Sequence, residues 1–311
     1  MTSPERIVSL LPSATEILCA LGLRERLVGV SHECDFPAEV IGLPVVTHSH
    51  IAQGQSSRAI DTQVREHLQN NAALYSLDAT LLRQLHPDLI VTQALCDVCA
   101  VSADDVQAAA CDLATVAEVV NLEPTCLEDV LATIMAVGAA AGVTAMAAEV
   151  VAGLRSRLHD IARRTEQAVV QRPTVVMLEW LDPPFNAGHW TPELVRYAGG
   201  VDCLGGEGLP SHTLEWQQIV AADPDVLVVA CCGFDLPRTM QDVQELPARP
   251  GWHSLAAVRN NRVFVIDGNH YFNRPGPRLI DSLEILSYLL HPELFDLPRN
   301  LAGTYIHFDV R

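Results

Sequence analysis

The amino-acid sequence predicts an α/β protein of two similar halves, each with a parallel-rich sheet, joined by a long helix. Short apolar runs rich in β-branched residues alternate with helical patterns along the chain, which favours parallel sheets covered by helices on both faces. The order of these elements repeats in the second half. A chain of 311 residues also has the length of two domains of about 150 residues each.

The first half, residues 1–124, is predicted to form the N-terminal lobe. Its predicted strands are three short apolar runs, at residues 6–10, 27–30 and 89–92. Ser13 and Glu16 have the spacing of a capping box, so the first helix is expected to begin at Ser13. The polar stretch at residues 47–76 has no counterpart in the second half, and we interpret it as an insertion.

The second half, residues 171–311, is predicted to form the C-terminal lobe. Its predicted strands are residues 174–178, 226–229 and 263–266. Between the halves lies a helical bridge at residues 125–170. Its second helix, from Thr144 to about Ala168, carries an apolar stripe at helical spacing. At about 1.5 Å per residue this helix would span roughly 36 Å, long enough to tie two lobes together.

The charge balance excludes several classes of partner. The formal net charge is −18, and all 20 basic residues are arginine. Nucleic acids and anionic membranes both attract cationic surfaces, so neither is expected as a partner. No apolar stretch approaches the roughly 20 residues of a membrane helix, so membrane insertion is not expected either.

Two features lead us to expect a cytoplasmic protein. The sequence shows no basic segment followed by an apolar run and a cleavage site, which a secretory signal requires. The chain also has nine cysteines, an odd number that does not resemble a secreted disulfide framework. Reduced thiols in a cytosol fit this count better.

The chemically distinctive residues concentrate directly after the predicted strands. Ligands of open parallel sheets bind at the carboxyl ends of the strands, where the loops diverge. If the two sheets face each other, these loops line one cleft between the lobes, which is the default binding site. No nucleophile elbow, phosphate loop or dinucleotide-binding glycine pattern is present to indicate an enzyme.

Thiols, imidazoles and carboxylates in these loops form a candidate metal site. The candidate ligands are His32, Cys34, Cys96, Cys99, Glu179, Cys231 and Cys232. Nitrogen and sulfur donors of this kind suit zinc or ferrous iron. A single Cys-x-x-Cys pair is a weak signal, however, and buried apolar thiols explain the same residues equally well.

Aromatic and histidine side chains in the same loops form a candidate binding surface for a flat ligand. These residues are Trp180, Phe185, His189, Trp190, His270, Tyr271 and Phe272. Their rings could stack on the ligand or fill the cores of the lobes. An imidazole of His32, His189 or His270 could also approach a metal at the centre of the ligand.

Several motifs resemble a known family. They are residues 6–16 (RIVSLLPSATE), 87–91 (PDLIV), 182–185 (DPPF) and 272–278 (FNRPGPR). In this order and spacing they resemble the cobalamin-binding and ferric-siderophore-binding proteins of ABC importers. The match covers nearly the whole chain, and the cysteine-containing loops resemble a soluble branch of that family.

The resemblance implies two Rossmann-like lobes joined by one long helix, with a corrinoid or siderophore between the lobes. Aromatic residues that surround the corrin would come from loops at Gln93–Cys99, Trp180–Phe185 and His270–Phe272. The importers carry one exposed glutamate per lobe that grips the permease. By this alignment Thr80 and Gln217 stand at or near those positions without charge, which makes the same docking doubtful.

The favoured function is therefore a non-catalytic binding protein for cobalamin or a related corrinoid. The alternative is a zinc- or iron-binding or delivery protein that uses the histidines and cysteines of the cleft. A second alternative is a redox or corrinoid-modifying enzyme based on Cys96 and Cys99.

Overall fold

The computed structural model describes residues 3–52, 54–70, 72–93, 101–111, 113, 117–168 and 171–309. It confirms the predicted α/β fold class. The chain divides into two compact units. The first unit comprises Met1–Gln55, Ala59–Pro124 and Glu128–Gly153, and the second comprises Ser56–Arg58, Thr125–Leu127 and Leu154–Arg311.

The strands of the first unit form two sheets. In chain order they are β1 (Ile7–Ser9), β2 (Leu27–Val30), β3 (Thr47–Ser49), β4 (Tyr75–Leu77), β5 (Leu89–Gln93) and β6 (Glu118–Leu122). A parallel sheet has the order β2-β1-β5-β6, while β3 and β4 pair antiparallel. All five residues of β5 are buried, as expected for an apolar run covered on both faces.

The helices of this part of the chain lie between those strands and after them. They are α1 (Pro12–Ala20), α2 (Ser57–Gln69), α3 (Ala79–Leu85), α4 (Ala103–Cys111), α5 (Leu127–Ala140) and α6 (Thr144–Ala168). The stretch interpreted as an insertion thus contains β3, α2 and most of β4. The helix α6 has the 25 residues expected of the bridging helix, and its first part belongs to the first unit while the rest belongs to the second.

The predicted capping box at Ser13 is wrong. The first helix begins at Pro12, and Leu11 occupies the N-cap position without a side-chain hydrogen bond. Proline is favoured in the first turn because its fixed φ suits a helix and its missing N–H would have no helical partner there. Ser13 therefore lies inside the helix, where its hydroxyl is buried and has no hydrogen-bond partner in the described part of the chain.

The second unit has one six-stranded sheet. Its strands are β7 (Thr174–Leu181), β8 (Pro184–Asn186), β9 (Val201–Asp202), β10 (Val226–Val229), β11 (Val263–Ile266) and β12 (Tyr305–His307). The order is β12-β11-β10-β7-β8, with β9 paired to β7. The central strands β7, β10 and β11 are parallel, and the outer strands β8 and β12 run antiparallel to their neighbours.

Helices accompany this sheet throughout the described residues of the second unit. They are α7 (Thr191–Tyr197), α8 (Trp216–Ala222), α9 (Leu236–Val243), α10 (Ala256–Arg259) and α11 (Leu279–Leu290). Trp252 is fully buried in the core, where its ring packs against Trp216 and Phe308.

The strand β7 is three residues longer than predicted. It continues through Glu179 and Trp180 to Leu181 because β8 folds back on it and pairs Trp180 with Phe185. Glu179 and Trp180 therefore lie on the strand itself, whereas the sequence analysis placed them in the following loop. Pairing with Phe185 holds Trp180 in the strand, whereas Glu179 lies at an irregularity in the pairing between Leu178 and Trp180.

The repeated Pro-Asp step has the same structural role in both units. The Asp88 carboxylate accepts hydrogen bonds from the backbone N–H groups of Glu5 and Arg6, at 2.9 and 3.0 Å, just before β1. The Asp225 carboxylate accepts bonds from the N–H and the hydroxyl of Thr174, at 2.8 and 2.9 Å, at the start of β7. Each aspartate thus satisfies the polar groups where the first strand of its unit begins.

Candidate functional site

An aromatic cluster occupies the carboxyl edge of the sheet in the second unit. Trp180 lies near the end of β7, and its ring centroid is 4.9 Å from that of Phe234, which follows β10. The Arg238 guanidinium lies over the Phe234 ring, 4.2 Å from its centroid. Phe185 is paired with Trp180 across the β7–β8 hairpin. Trp180, Phe185 and Phe234 are all half-buried, so they combine fixed positions with apolar surface.

The indole nitrogen of Trp180 has an unsatisfied hydrogen-bonding capacity. Its Nε1 atom is buried and has no hydrogen-bond partner among the described residues. A buried N–H without a partner is costly, and buried indoles usually find an acceptor. This edge of the sheet therefore holds a half-buried ring and a buried donor that has no partner among the described residues.

The loop after β11 holds His270 in one orientation. The Asp267 carboxylate is 3.0 Å from His270 Nδ1 and also accepts the His270 backbone N–H at 3.0 Å. Burial raises the pKa of Asp267, but the hydrogen bonds from His270 outweigh it and lower the pKa below its usual value. A carboxylate on Nδ1 fixes the ring and makes Nε2 the basic nitrogen, as second-shell carboxylates do for metal-ligating histidines.

Tyr271, which follows His270, is also half-buried at this edge. The Arg278 guanidinium lies 5.6 Å from the centre of its ring. Burial raises the pKa of the Tyr271 phenol, so the hydroxyl stays neutral near pH 7. Tyr271 thus presents an uncharged ring and hydroxyl.

Two of the predicted ligand residues belong to the core of the unit instead. Trp190 and Phe272 are only 6% and 2% exposed. The Trp190 indole donates to the Phe272 carbonyl at 2.6 Å, and the Phe272 N–H donates to the Ser282 hydroxyl at 3.0 Å. Packing inside the unit therefore holds both rings, and their role as ligand contacts stays a prediction.

His189 packs against the same core. Its ring lies 5.5 Å from the Trp190 ring at an interplanar angle of 29°. Its φ of +52° is left-handed, and its N–H donates to the Leu209 carbonyl at 2.6 Å. Burial lowers the pKa of His189 below its usual value of 6.5.

This burial predicts a pH dependence of stability. The folded protein resists protonation of His189, whereas the unfolded chain takes up a proton at about pH 6.5. We therefore expect the contribution of His189 to the free energy of unfolding to be largest above about pH 6.5. It should fall as the pH drops toward the pKa of His189 in the folded protein. Urea denaturation between pH 5 and 8 measures this slope.

The matched variant for this test is His189→Asn, because Asn tolerates a positive φ and does not titrate. Its stability should change less between pH 7 and pH 5 than that of the wild type. Equal slopes in the two proteins would contradict the assignment.

The remaining predicted metal ligands of the second unit, Glu179, Cys231 and Cys232, lie in different environments. Glu179 Oε2 accepts the Gly188 N–H at 3.3 Å, and the Glu179 carbonyl accepts the Cys232 N–H at 2.9 Å. Cys231 is fully buried in the apolar core, and this burial strongly raises the pKa of its thiol. Because metals bind the thiolate, this environment disfavours ligation by Cys231. Cys232 is exposed.

In the first unit, His32 and Cys34 have different partners. His32 Nδ1 is 2.7 Å from the Thr47 hydroxyl. Cys34 Sγ lies 3.1 Å from Thr15 Oγ1 and 3.3 Å from Ser31 Oγ. Gln93 is the buried last residue of β5, and its predicted role as a ligand contact stays a prediction.

The predicted zinc or iron set also stays a prediction. Cys96 and Cys99 lie outside the described residues. Within the part of the chain that the structure describes, no group of three or more His, Cys, Asp or Glu side chains is placed to hold a metal ion.

Four residues whose contacts are described above were not among the predicted site residues. They are Phe234, Arg238, Asp267 and Thr47. Phe234 follows a buried strand and the turn residue Gly233, and Asp267 lies three residues before His270. Both positions could therefore have been recognised from the sequence. Thr47 was not foreseeable, because its contact with His32 depends on the placement of β3 beside the end of β2.

A cavity of about 510 Å³ lies elsewhere in the second unit. Its lining includes Tyr197 and Asp202, and Asp202 lies beside the first residues of β7, at the amino edge of the sheet. The lining is rich in charged groups that already pair with each other, such as Arg196 and Glu207 at 2.6 Å. It lacks the paired aromatic rings Trp180 and Phe234 of the carboxyl edge, which remains the better candidate.

No helix in the described parts of the chain combines the length and the apolar character needed to span a membrane.

Comparison with known proteins gives consistent matches. A family model described as periplasmic binding protein matches residues 7–269. The vitamin B12-binding protein of Vibrio cholerae is 24% identical, over 92% of this chain and 89% of its own length. The uncharacterized ABC transporter substrate-binding lipoprotein YvrC of Bacillus subtilis is 25% identical, over 94% of this chain and 82% of its own.

Solved structures show the same fold. The periplasmic vitamin B12 binding protein BtuF of Vibrio cholerae superposes with a TM-score of 0.65 at 22% identity, covering 93% of this chain and 98% of its own. A periplasmic heme-binding protein from Pseudomonas aeruginosa gives a TM-score of 0.71 at 22% identity, with 96% of each chain covered. The family resemblance inferred from the motifs is confirmed.

The prediction of a cytoplasmic location is wrong. The matched family consists of periplasmic or other extracytoplasmic binding proteins of ABC importers. The expectation rested partly on the odd number of cysteines, and free thiols in a large, well-packed domain do not distinguish the two compartments. Acidic composition is equally uninformative about location.

Proposed function

The chain belongs to the periplasmic binding protein family, and from this premise we propose that it binds a corrinoid for an ABC importer. Members of the family are non-catalytic solute-binding proteins, so the alternative of an enzyme is set aside. The proposal concerns the identity of the ligand and the residues that hold it.

The observation that carries the proposal is the aromatic cluster at the carboxyl edge of the second unit. Trp180 and Phe234 are packed together, and Phe185 is fixed beside Trp180 by strand pairing. Rigid, half-buried rings suit a large flat ligand, because stacking requires little loss of side-chain freedom. A bare metal ion would not need such a surface.

The polar groups beside the cluster match the chemistry of a metal-centred ring. Asp267 holds His270 so that Nε2 is its basic nitrogen, and imidazole is a good ligand for cobalt or iron. The uncharged hydroxyl of Tyr271 and the indole N–H of Trp180 can bond to amide groups on the edge of the ring. Cobalamin is favoured over other rings because curated relatives that align along most of this chain are vitamin B12-binding proteins.

The partner would be the permease of an importer, as in the family. The permease-gripping glutamates implied by the resemblance have no direct counterpart at Thr80 and Gln217. The neighbouring acids act as helix caps: Asp78 accepts the Leu81 N–H at 2.8 Å, and Glu215 forms a capping box with Gln218. We therefore propose that docking of this chain on a permease uses a different set of contacts.

The test is a calorimetric titration of the purified protein with hydroxocobalamin, hemin and ferrichrome as a ferric siderophore. We expect hydroxocobalamin to bind at one site per chain with a Kd of about 1 μM or tighter, which is about −8 kcal/mol. Hemin and the siderophore should bind at least tenfold more weakly. If hemin or ferrichrome binds more tightly than hydroxocobalamin, the ligand class is that of the tighter ligand and not a corrinoid. If hydroxocobalamin does not bind, the proposal is wrong.

A further inference from the structure

The loop between β10 and α9 fixes the backbone of Phe234 but leaves its side chain to other contacts. The Phe234 N–H donates to the Cys231 carbonyl at 3.1 Å, and the Phe234 carbonyl accepts the Asn269 N–H at 2.9 Å. Gly233, just before it, has a left-handed φ of +72°. The Phe234 ring is only half-buried, and these backbone bonds do not determine which rotamer it adopts.

Arg238, in the first turn of α9, lies over that ring. Its guanidinium carbon is 4.2 Å from the ring centroid, and its Nη1 donates to the Asp242 carboxylate at 2.7 Å. The Arg238 backbone N–H donates at 2.8 Å to the carboxylate of Asp235, the N-cap of α9. The backbone and the guanidinium of Arg238 are thus both anchored, and its side chain is only 21% exposed.

The contact between Arg238 and Phe234 has the geometry of a cation–π interaction. A guanidinium within about 6 Å of a ring centroid is attracted by the ring, and the attraction grows as the pair is removed from water. Phe234 also packs beside Trp180, with the ring centroids 4.9 Å apart and an angle of 42° between the rings. Phe234 therefore contacts an anchored cation as well as the indole of the proposed ligand surface.

We propose that Arg238 is a positioning residue of the ligand surface, because it holds the Phe234 ring in the orientation that packs beside Trp180. Arg238 acts through Phe234 and needs no contact with the ligand. These three residues all belong to the second unit. The inference rests on the proposed function for the ligand that is titrated, but not for the orientation of the Phe234 ring.

The orientation of the ring is tested without any ligand. Nuclear Overhauser contacts between the ring protons of Phe234 and the indole protons of Trp180 are measured in labelled protein. Phe234→Leu and Trp180→Phe assign the signals by difference. We expect strong contacts in the wild type and clearly weaker contacts in Arg238→Gln, because the ring then samples other rotamers. Equal contacts in the two proteins would overturn the inference.

The positioning role is tested by a double-mutant cycle titrated with hydroxocobalamin. Phe234→Ala should bind about tenfold more weakly, and Arg238→Gln about fivefold, the scale of one partly buried cation–π contact. Because Arg238 acts through the ring, the double variant should bind within about twofold of Phe234→Ala alone. Multiplied losses in the double variant would overturn the positioning role, as would wild-type affinity of either single variant.

Arg196 provides a matched control in the same unit. Its guanidinium lies 4.2 Å from the centre of the Tyr197 ring and pairs with Glu207 at 2.6 Å, in the cavity at the amino edge of the sheet. Arg196→Gln therefore removes a similar pair of contacts and should leave the affinity for hydroxocobalamin unchanged. An equal loss of affinity in Arg196→Gln and Arg238→Gln would deny Arg238 a specific role and overturn the inference.

Thermal denaturation verifies that the variants are folded. If Arg238→Gln is not folded, Arg238→Met takes its place in the cycle with the same expected result, since it keeps an unbranched side chain of similar length without the charge.

The two proposals fail in different ways. If the wild type does not bind hydroxocobalamin, the proposed corrinoid function is wrong, and the same variants are titrated with whichever of hemin and ferrichrome binds. Multiplied losses for the ligand that binds would overturn the positioning role and leave the ligand class intact. Failure of all three ligands to bind would overturn both proposals.

Discussion

Replacing Gly268 with Ala is expected to lower the free energy of unfolding by about 3 kcal/mol, the upper part of the usual range for overpacking. A Cβ atom at this position would lie 2.1 Å from the Cys231 carbonyl oxygen and 2.6 Å from the Ala230 carbonyl carbon. Both neighbours are backbone atoms at the end of β10, so no side-chain rotation can relieve the clash. The loops after β10 and β11 would have to separate.

The same substitution should weaken corrinoid binding at least tenfold, or about 1.4 kcal/mol. The two loops carry Phe234 on one side and His270 on the other. They are held together by the Asn269 N–H, which donates to the Phe234 carbonyl at 2.9 Å, and by the Asn273 amide, which donates to the carbonyls of Ala230 and Gly268 at 3.0 and 2.9 Å. Separation would displace the rings and the imidazole relative to each other.

Urea denaturation and hydroxocobalamin titration measure both effects. Gly153→Ala is the matched control, because Gly153 is an exposed residue within α6 and an added Cβ would meet no atom within 4 Å. Alanine should stabilise that helix by about 0.5–1 kcal/mol. Wild-type stability of Gly268→Ala would mean that the two loops are not packed as closely as the structure shows.

The sequence was most informative where local chemistry determines the backbone. The Pro-Asp steps before β5 and β10 predicted the start of two buried strands, and the structure adds that Asp88 and Asp225 bond to the first strand of each unit. The helical stripe of α6 gave its length correctly. These features depend on residues close in sequence or on a pattern repeated in both halves.

The direction of side chains in loops could not be predicted in the same way. Phe272 and Tyr271 are neighbours in one loop, yet Phe272 is buried and Tyr271 is half-buried at the sheet edge. The difference arises from the positive φ of Phe272, +71°, and from its hydrogen bond to Ser282 on α11. Ten residues separate that pair in sequence, so only the folded chain reveals it.

The capping box predicted at Ser13 is absent, and one is present at Glu215. Residue types alone therefore do not locate the first residue of a helix. Ser13 and Glu16 match the expected residue types, but Pro12 begins the helix one residue earlier. Glu215 and Gln218 form the reciprocal bonds with less typical residues. A pattern of residue types therefore indicates that a helix begins nearby, and in α1 it is Pro12 that sets the first residue.

Replacing Trp180 with Ala is expected to weaken hydroxocobalamin binding at least tenfold while the protein stays folded. The indole is half-buried at the edge of the sheet and contacts Phe234, so its loss removes stacking area and a donor from the ligand surface. A loss of about 1.4 kcal/mol or more is reasonable for a large aromatic contact. Titration calorimetry measures the affinity, and thermal denaturation verifies that the fold is intact.

Two further variants separate the possible causes of weaker binding by Trp180→Ala. Tyr197→Ala removes another half-buried ring of the same unit from the cavity at the opposite edge of the sheet, where it packs under Arg196, and it should leave the affinity unchanged. Trp180→Phe keeps a stacking ring but loses the indole N–H, so it should recover most of the affinity lost in Trp180→Ala. If Trp180→Ala binds as tightly as the wild type, the ligand does not contact this edge of the sheet. If Trp180→Phe and Trp180→Ala lose the same affinity, the lost binding energy comes from the buried N–H and not from stacking.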